Sequence, residues 1–534
     1  MANNENKLSN EVKHILPQCK VVVYPWQEIL NDPNLSDDKL AATTRLDISS
    51  QVQSVTYQKN MGSAAGSFSI QLTNSPNYGT NDWKDIIKRG YWVVIYMTND
   101  GDLSLNPVVG PNISKNKKQE AKRIRCVGYV ERVSVTGSTQ ENRSIDITYT
   151  VTGRDFGIVY EETNIWHNLF AFDKIMLDSI AQTKLNITGN VRVHDALTLI
   201  HDLFYFPSKI PGAKVNDNKS LLSIGLQWLL PKEMLIDIGF NLSGVTNGTY
   251  WGALPGVFKA SPTGAGIAVE QPGDYLNGNA WDQLKRLSVA PFHELFTELD
   301  DNGLPRLIFR PIPWGIDQDK YPKNKQNIPL YKDIKEIVTV PAVDLYDFDL
   351  GEDENSRYNS FLATVSTTLI NTEDNISLLT GKGFPKNNSA SIRRHGFRPM
   401  HVTVDSIVKN EELGNGSADQ QQLTEFNEIL YDYWNNAVFA ESGSVTKLGT
   451  NDLKIGKVMK FKADVPYLSS KRYYIEGYTD TFIVGEKRER EWTQEVNLTR
   501  GFEEADLAAK KGFLSRNTTF TQSGSFIKGE GENK

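Results

Sequence analysis

Several residue groups have the types needed for metal binding or catalysis, but each lacks part of the required pattern. His293 and Glu294 begin like the metalloprotease helix motif, yet Thr297 stands where the second zinc-binding histidine is needed. His194 and His201 share a predicted helix, but seven residues separate them by about 10.5 Å, too far for both to bind one ion. The sequence therefore predicts no metal site and no cofactor.

Phosphate-binding and nucleophilic motifs are incomplete as well. The glycine-rich stretches Gly264–Gly266 and Thr380–Gly383 lack the full spacing of a phosphate-binding loop. No G-x-S-x-G elbow occurs, and the acidic pair Asp300–Asp301 lies in a predicted turn, where carboxylates are normally solvated. We therefore predict no catalytic residues, and that the chain is not an enzyme.

Composition narrows the function classes further. The chain has 534 residues and a formal net charge of −7, which disfavours a protein that grips nucleic acid by its phosphates. Its two cysteines, Cys19 and Cys126, each lie in an apolar strand pattern and are predicted to be buried rather than disulfide-bonded. No apolar run approaches the roughly 20 residues of a membrane span, and the N-terminus has no secretory pattern. We expect synthesis in a cytoplasm and no membrane insertion.

Two β-rich regions, 19–160 and 335–500, bracket the chain. Their strands show the alternation of apolar and polar residues that places one set on a core face and the other on a solvated face. Tyr91–Met97 is almost wholly apolar, which predicts a strand covered on both faces. The polar members of two alternating strands are predicted to lie on the solvated face, and these are Ser67, Ser69, Gln71, Ser144, Asp146 and Thr148.

Helical spacing appears between and within these regions. Apolar residues recur at helical intervals over 191–204, over 291–299 with Glu294 exposed, and over 421–438. The turn 300–303 then leads into a predicted strand at 306–310. Residues 205–280 have the composition of an irregular insertion.

These elements predict an α+β fold that is mostly β. The expected organisation is an N-terminal arm (1–18), a first β domain (19–160), a helical and irregular accessory region (161–334), a second β domain (335–500) with the helix 421–438 embedded in it, and a polar tail (501–534). One dense basic cluster, Arg393, Arg394 and Arg398, is a candidate contact with an acidic neighbouring subunit or a phosphate.

Four stretches, in this order along the chain, carry a resemblance to a known family. They are a strand entering a Gly-Arg-Asp turn and a helix (Tyr149–Gly157), a helix followed by an acidic Gly turn and a strand (Pro291–Trp314), the basic segment Ser391–Pro399, and the pair Tyr473–Gly477 and Trp492–Gly501. Together they resemble the baseplate hub proteins of contractile-tailed bacteriophages, whose hub fold is shared with type VI secretion spike proteins and the late control protein D family.

The resemblance implies two tube-type antiparallel β-barrel domains side by side, with flanking helices and smaller accessory domains. It also implies a homotrimeric ring with pseudo-sixfold symmetry in the virion tail baseplate. The implied partners are the tail tube or a tube-initiator protein, the central spike, other baseplate proteins, the tape-measure protein, and DNA only in transit. The polar strand residues named above are expected to line the lumen of this ring. A polar to acidic lumen is expected to let DNA pass without sticking.

Two alternatives stay open from the sequence. The same architecture is expected in a hub of a non-contractile tail tip or of a type VI-like injection machine. A tail-associated cell-wall hydrolase would instead need a carboxylate pair or metal site within 205–280, where no such motif is recognised.

Overall fold

A computed structural model describes the two β regions in greatest detail. The described residues are 15–25, 46–73, 82–100, 103, 122–139, 145–162, 164–165, 191–192, 259–260, 266–267, 278–279, 281–282, 285, 293–299, 303, 305–311, 337–365, 385–404, 427, 430–431, 434–435, 440–485 and 489–503.

Strands dominate these residues. The first β region forms β1 (Gln18–Tyr24), β2 (Leu46–Asp47), β3 (Val52–Asn60), β4 (Ser67–Leu72), β5 (Trp92–Thr98), β6 (Ile124–Thr139) and β7 (Ile145–Asp155). The second forms β15 (Ile337–Val340), β16 (Leu345–Glu352), β17 (Ser360–Val365), β18 (Lys386–Asn387), β19 (Pro399–Val404), β20 (Glu441–Leu448), β21 (Val458–Phe461), β22 (Lys471–Val484) and β23 (Arg490–Glu503).

The intervening region contributes shorter strands, and three short α-helices are described. The strands are β8 (Asn164–Ile165), β9 (Val191–Arg192), β10 (Lys259–Ala260), β11 (Gly266–Ile267), β12 (Gly278–Asn279), β13 (His293–Leu299) and β14 (Pro305–Pro311). The helices are α1 (Trp83–Ile86), α2 (Ile158–Glu162) and α3 (Ser389–His395), with 3₁₀ turns at Ser49–Gln51, Ala342–Asp344 and Glu354–Ser356. No described helix has the length and apolar character needed to cross a bilayer.

Apart from β17–β19, which form a separate three-stranded sheet, the strands of both β regions belong to one large curled sheet of 13 strands. Its order is β16-β20-β23-β22-β3-β4-β7-β6-β5-β1-β2, and β21 and β15 branch from β22. The predicted class, α+β and mostly β, is confirmed. The two β regions are thus hydrogen-bonded to each other through β22 and β3.

The core follows from the alternation in the strands. Phe68, Ile70 and Leu72 of β4 are buried, as predicted, while the residues between them are exposed or half-buried. Every residue of β5 is buried, which confirms the predicted strand covered on both faces. Cys19 and Cys126 are buried and free, as expected. One contiguous hydrophobic cluster runs through both β regions, so the two regions share one core.

The two β regions repeat the same strand order, and each set of six is hereafter called a unit. The first unit runs β1-β5-β6-β7-β4-β3 and the second runs β15-β21-β22-β23-β20-β16. Corresponding strands also follow one another in the same order along the chain. All neighbouring pairs are antiparallel in both units, except that β15 and β21 are parallel where β1 and β5 are antiparallel. The chain therefore contains an internal duplication of architecture.

Two register shifts fall at corresponding places in the two units. On β3 the ladder with β4 skips Gln53, and on β16 the ladder with β20 skips Tyr346. On β6 the ladder with β7 skips Glu131, and on β22 the ladder with β23 skips Glu476. A bulge bends its strand and is retained as a structural feature. Because the bulges fall at corresponding places, they align the two units residue by residue.

One predicted element is wrong. The sequence pattern predicts a helix over 291–299 with Glu294 exposed, but the structure has strand β13, and Glu294 is buried. The reason is tertiary: His293–Leu299 pairs along its whole length with β14, and residues 294–299 are buried on both faces of the strand. The predicted strand at 306–310 is confirmed as β14, and Gly303 has the positive φ that the predicted turn requires.

Other predicted helices fall largely on residues that are not described. Of 191–204 only Val191–Arg192 is described, as part of β9. Within 421–438 the described residues 427, 430, 431 and 434 are helical. The insertion 205–280, the arm and the tail lie almost entirely outside the described residues.

Candidate functional site

The two units meet along a single ladder between β3 and β22. Ser54–Asn60 pairs antiparallel with Gly477–Ile483 over seven residue pairs. The rings of Tyr57 and Tyr478 add an edge-to-face contact across the junction, with centroids 6.0 Å apart. The first half of β22 pairs with β21 of its own unit, and its second half pairs with β3 of the first unit. β22 therefore pairs with strands of both units.

A buried ion pair crosses the same junction. Arg125 of β6 donates from Nε to Oδ2 of Asp480 on β22 at 2.8 Å, and its Nη1 donates to the carbonyl of Leu453 at 2.9 Å. Asp480 Oδ1 accepts from Trp492 Nε1 at 3.0 Å and from Gln494 Nε2 at 2.7 Å. The carboxylate thus has a charged donor on Oδ2 and two neutral donors on Oδ1, which offsets the cost of burying it.

The environment of Arg125 keeps its guanidinium charged. Burial alone would lower the pKa of Arg125, but the adjacent Asp480 carboxylate outweighs it and raises that pKa. The guanidinium also lies over the ring of Tyr478, 4.8 Å from the centroid. This pair is a structural connection between units, since no described residue places a reactive group beside it.

A second buried charge pair lies at the end of β7, where Gly153, Arg154 and Asp155 are strand residues and the predicted Gly-Arg-Asp turn is wrong. Lys59 Nζ contacts the Asp155 carboxylate, and it also donates to Thr297 Oγ1 at 2.7 Å. Tyr57 donates its hydroxyl to Asp155 at 2.8 Å, and the Gly157 backbone N–H donates to the other carboxylate oxygen at 2.9 Å. β13 and β14 form an antiparallel hairpin, hereafter the accessory hairpin. Because Thr297 lies on β13, this network also attaches the accessory hairpin to the first unit.

The accessory hairpin is attached to the second unit by two buried glutamates. Glu294 of β13 accepts from the Tyr474 hydroxyl at 2.5 Å, and Arg500 Nη1 lies 4.0 Å from its other oxygen. Glu298 accepts from the Ile455 backbone N–H at 2.9 Å. The strand β13 therefore contacts both units through polar groups, a role that its helical-looking sequence did not reveal.

The repeated bulges carry repeated ion pairs. Arg154, near the end of β7, binds Glu131 at 2.6 Å and Glu161 at 2.6 Å. In the second unit Arg500 Nη2 lies 3.5 Å from Glu476 Oε1. Each bulge glutamate thus faces an arginine near the end of the following strand, which is further evidence of the duplication.

The predicted lumen-facing residues share one polar face where they are described. Ser69 pairs across the sheet with Thr152, and Gln71 with Thr150, while Thr56 of β3 lies opposite Ser69. Of the predicted residues, Ser67, Ser69, Gln71 and Thr148 lie on this face; the side chain of Asp146 and all of Ser144 lie outside the described part. That this face lines a lumen stays a prediction.

The predicted basic cluster is partly engaged within the chain. Arg398 donates from Nη1 to the Glu354 carbonyl at 2.9 Å, and Arg357 donates to the Glu354 carboxylate at 2.6 Å. The hydrogen bond from Arg357 holds the pKa of Glu354 below its ordinary value. Arg393 and Arg394 lie exposed on α3 and are available to a partner.

The described residues that first suggested chemistry have structural surroundings. Burial raises the pKa of the Cys19 and Cys126 thiols, which makes them poor nucleophiles. In the part of the chain that the structure describes, no group of three or more His, Cys, Asp or Glu side chains is placed to hold a metal ion. The segments Gly264–Gly266 and Thr380–Gly383, and residues 194–202, fall on positions that are largely not described.

Comparison with solved structures finds tail proteins. The chain is similar to a tail protein from Neisseria meningitidis MC58 (11% identity, TM-score 0.42, covering 91% of this chain and 96% of that one). It is also similar to a 43 kDa tail protein of prophage MuSo2 from Shewanella oneidensis (12% identity, TM-score 0.42, covering 90% and 98%). A lidded Francisella PdpA–VgrG complex matches at 9% identity and TM-score 0.40, covering 91% and 53%.

These neighbours are of the kind that the sequence motifs resemble. No protein-family model matches the chain, and no curated protein matches it by sequence. At TM-scores this low the likeness carries no functional conclusion for this chain.

Proposed function

We propose that this chain is a structural ring subunit of a phage tail baseplate, the hub between the tail tube and the central spike, with no enzymatic activity of its own. The observation that carries the proposal is the duplicated unit. Two copies of one strand order lie side by side in one sheet, joined head to tail by the β3–β22 ladder.

In a head-to-tail contact, each unit uses only one of its two contact surfaces, so the other surface of each unit stays free. The first unit uses β3 and the second uses β22, so the equivalents, β16 of the second unit and segment 131–139 of β6 in the first, each have a described strand neighbour on one side only. Repeating a head-to-tail contact with a closing rotation produces a ring. Three chains would contribute six such units, giving a threefold ring with pseudo-sixfold symmetry that fits a sixfold tube to a threefold spike.

The polar sheet face fits the inside of such a ring. The described face around Ser69, Thr152 and Gln71 presents hydroxyl and amide groups, and the chain as a whole has a net charge of −7. The face also carries Arg132 and Arg154, of which Arg154 is paired with Glu131 and Glu161, so we expect it to hold too few free cations to retain phosphates and to let DNA and the tape-measure protein pass without binding. A ring structure with a basic lumen would contradict this part of the proposal.

Electron microscopy of the purified assembled chain tests the proposal. We expect rings with threefold symmetry, six similar lobes and a central channel. Particles with no channel would contradict a hub. A hub of a non-contractile tip or of another injection machine would give the same rings, so fitting the ring into an intact particle assigns the machine.

A tail-associated cell-wall hydrolase is the alternative from another class. It is tested directly by incubating the purified chain with bacterial cell-wall material and measuring released sugars or peptides. We expect no release above a buffer control. Release that depends on the chain would replace the structural proposal with an enzymatic one.

A further inference from the structure

Two of the strand edges that stay open among the described residues are complementary because of the internal duplication. In the first unit, β6 pairs with β5 only as far as the backbone of Val130, so its segment 131–139 has a strand neighbour on one side alone. In the second unit, β16 pairs with β20 and with no other described strand. Exposed edges of this length invite pairing with another chain.

These two edges are the repeat equivalents of the strands that pair within the chain. β6 corresponds to β22 and β16 corresponds to β3, and β22 pairs with β3 at the junction between the units. We propose that β16 of one subunit pairs antiparallel with segment 131–139 of β6 in a second copy of this chain, reproducing the β3–β22 ladder between subunits. This inference rests on the proposed ring and adds its contact surface.

The repeated bulges fix the register of the proposed ladder. The bulge at Tyr346 aligns with that at Gln53, so Leu350 of β16 corresponds to Tyr57 of β3. The bulge at Glu131 aligns with that at Glu476, so Val135 of β6 corresponds to Asp480 of β22.

Within the chain Tyr57 lies opposite Asp480. Between subunits, therefore, Leu350 lies opposite Val135. The neighbouring pairs along the ladder are Phe348 opposite Gly137 and Asp349 opposite Thr136.

The side chains on the two edges suit this register. Phe348 is 44% exposed and Val135 is 37% exposed, although both are apolar residues on strands. Pairing would cover Val135 with Leu350 and would place the Phe348 ring over Gly137, which has no side chain of its own. The same register places exposed Arg132 opposite Asp353, just beyond the end of β16, so charges of opposite sign meet.

A cysteine pair tests the ladder and its register. Directly opposite residues of antiparallel strands have Cα atoms about 4.5–5.5 Å apart, within the range of a disulfide. The double variant D349C/T136C should therefore form covalent dimers and trimers under mild oxidation. The matched control D349C/R132C displaces one cysteine by four residues, roughly 13 Å along β6, and should link much less. The native Cys19 and Cys126 are buried and contribute no background.

A charge substitution provides the second readout. V135K places an ammonium group in the middle of the proposed ladder and should weaken subunit association at least about tenfold, since lysine on an edge strand opposes pairing. L16K makes the same kind of change at an apolar residue that is 58% exposed and lies beside Asn99, at the end of β5 away from segment 131–139, and it should leave association unchanged.

The outcomes separate this inference from the proposed function. In-register linking together with loss of association in V135K supports both. A solution mass of three chains with no preference for the in-register cysteine pair overturns the ladder and leaves the ring. A chain that neither links nor associates at any concentration overturns both.

Discussion

Arg125 and Asp480 form a buried ion pair across the two units, with Nε and Oδ2 2.8 Å apart. They are separated by 355 positions along the chain, yet neither has a side chain more than 1% exposed. Their pairing fixes how β6 of one unit meets β22 of the other, and so it fixes the spacing that a ring of such units would repeat.

Breaking this pair should be costly. D480N leaves the Arg125 guanidinium buried without its counter-charge, and we expect it to lower the free energy of unfolding by about 3 kcal/mol. The double variant R125M/D480N removes both charges and should recover part of that loss. Denaturant unfolding followed by tryptophan fluorescence gives the measurement, with D85N on the exposed surface of α1 as the control. Equal effects of D480N and D85N would show that the pair contributes nothing.

Strand β7 should not tolerate a side chain at Gly153. A Cβ atom there would lie 1.9 Å from the Tyr129 carbonyl oxygen and 2.7 Å from the Phe68 ring. We expect G153A to lower the free energy of unfolding by about 2 kcal/mol or more, because the crowding forces the backbone of β6 or the Phe68 ring to move. G62A is the matched control, since nothing lies within 4 Å of its new Cβ. Equal midpoints for the two variants in a thermal melt would contradict the close approach.

Lys447 should make stability depend on alkaline pH. Burial lowers its pKa from 10.5 to about 8, even though nearby carboxylates favour the charged form. Between pH 8 and 10.5 the unfolded chain keeps a proton that the folded chain has released, so stability rises with pH in that window; below pH 8 the full cost of burying the charge remains.

Comparison with K447M isolates this contribution. From pH 7 to pH 10 the wild type should gain about 2 kcal/mol of unfolding free energy relative to K447M. The exposed Lys84 supplies the control variant K84M, which should follow the wild type at every pH. A constant difference between wild type and K447M across the range would show that Lys447 titrates normally.

The strands were predictable from sequence where one face is buried and the other solvated. Phe68, Ile70 and Leu72 alternate with polar residues, and the period of two specifies both the strand and its orientation. The wholly apolar β5 was equally clear, because only a strand covered on both faces needs such a run.

The segment His293–Leu299 could not be assigned correctly by the same reasoning. Its apolar residues fit a helical interval, and its true state depends on pairing with β14 and on partners such as Tyr474 far along the chain. The Arg125–Asp480 ion pair could not be predicted from the sequence for a related reason. Arg125 lies among strand residues with no local motif, and its partner Asp480 is defined only by the fold.

The residue-level repeat was also invisible in the sequence. Corresponding positions such as Val135 and Asp480, or Leu350 and Tyr57, differ in size and charge, so only the strand order and the bulges reveal the duplication. Hydrogen bonds between backbones preserve such an arrangement while side chains diverge, which is why topology outlasts sequence here.

The solution mass of the purified chain, measured by light scattering over a range of concentrations, tests the central claim most directly. A ring hub predicts a species of three chains, each of 60.0 kDa, that persists on dilution. A mass that remains that of one chain at every concentration, or that settles at two chains, would contradict the proposed ring.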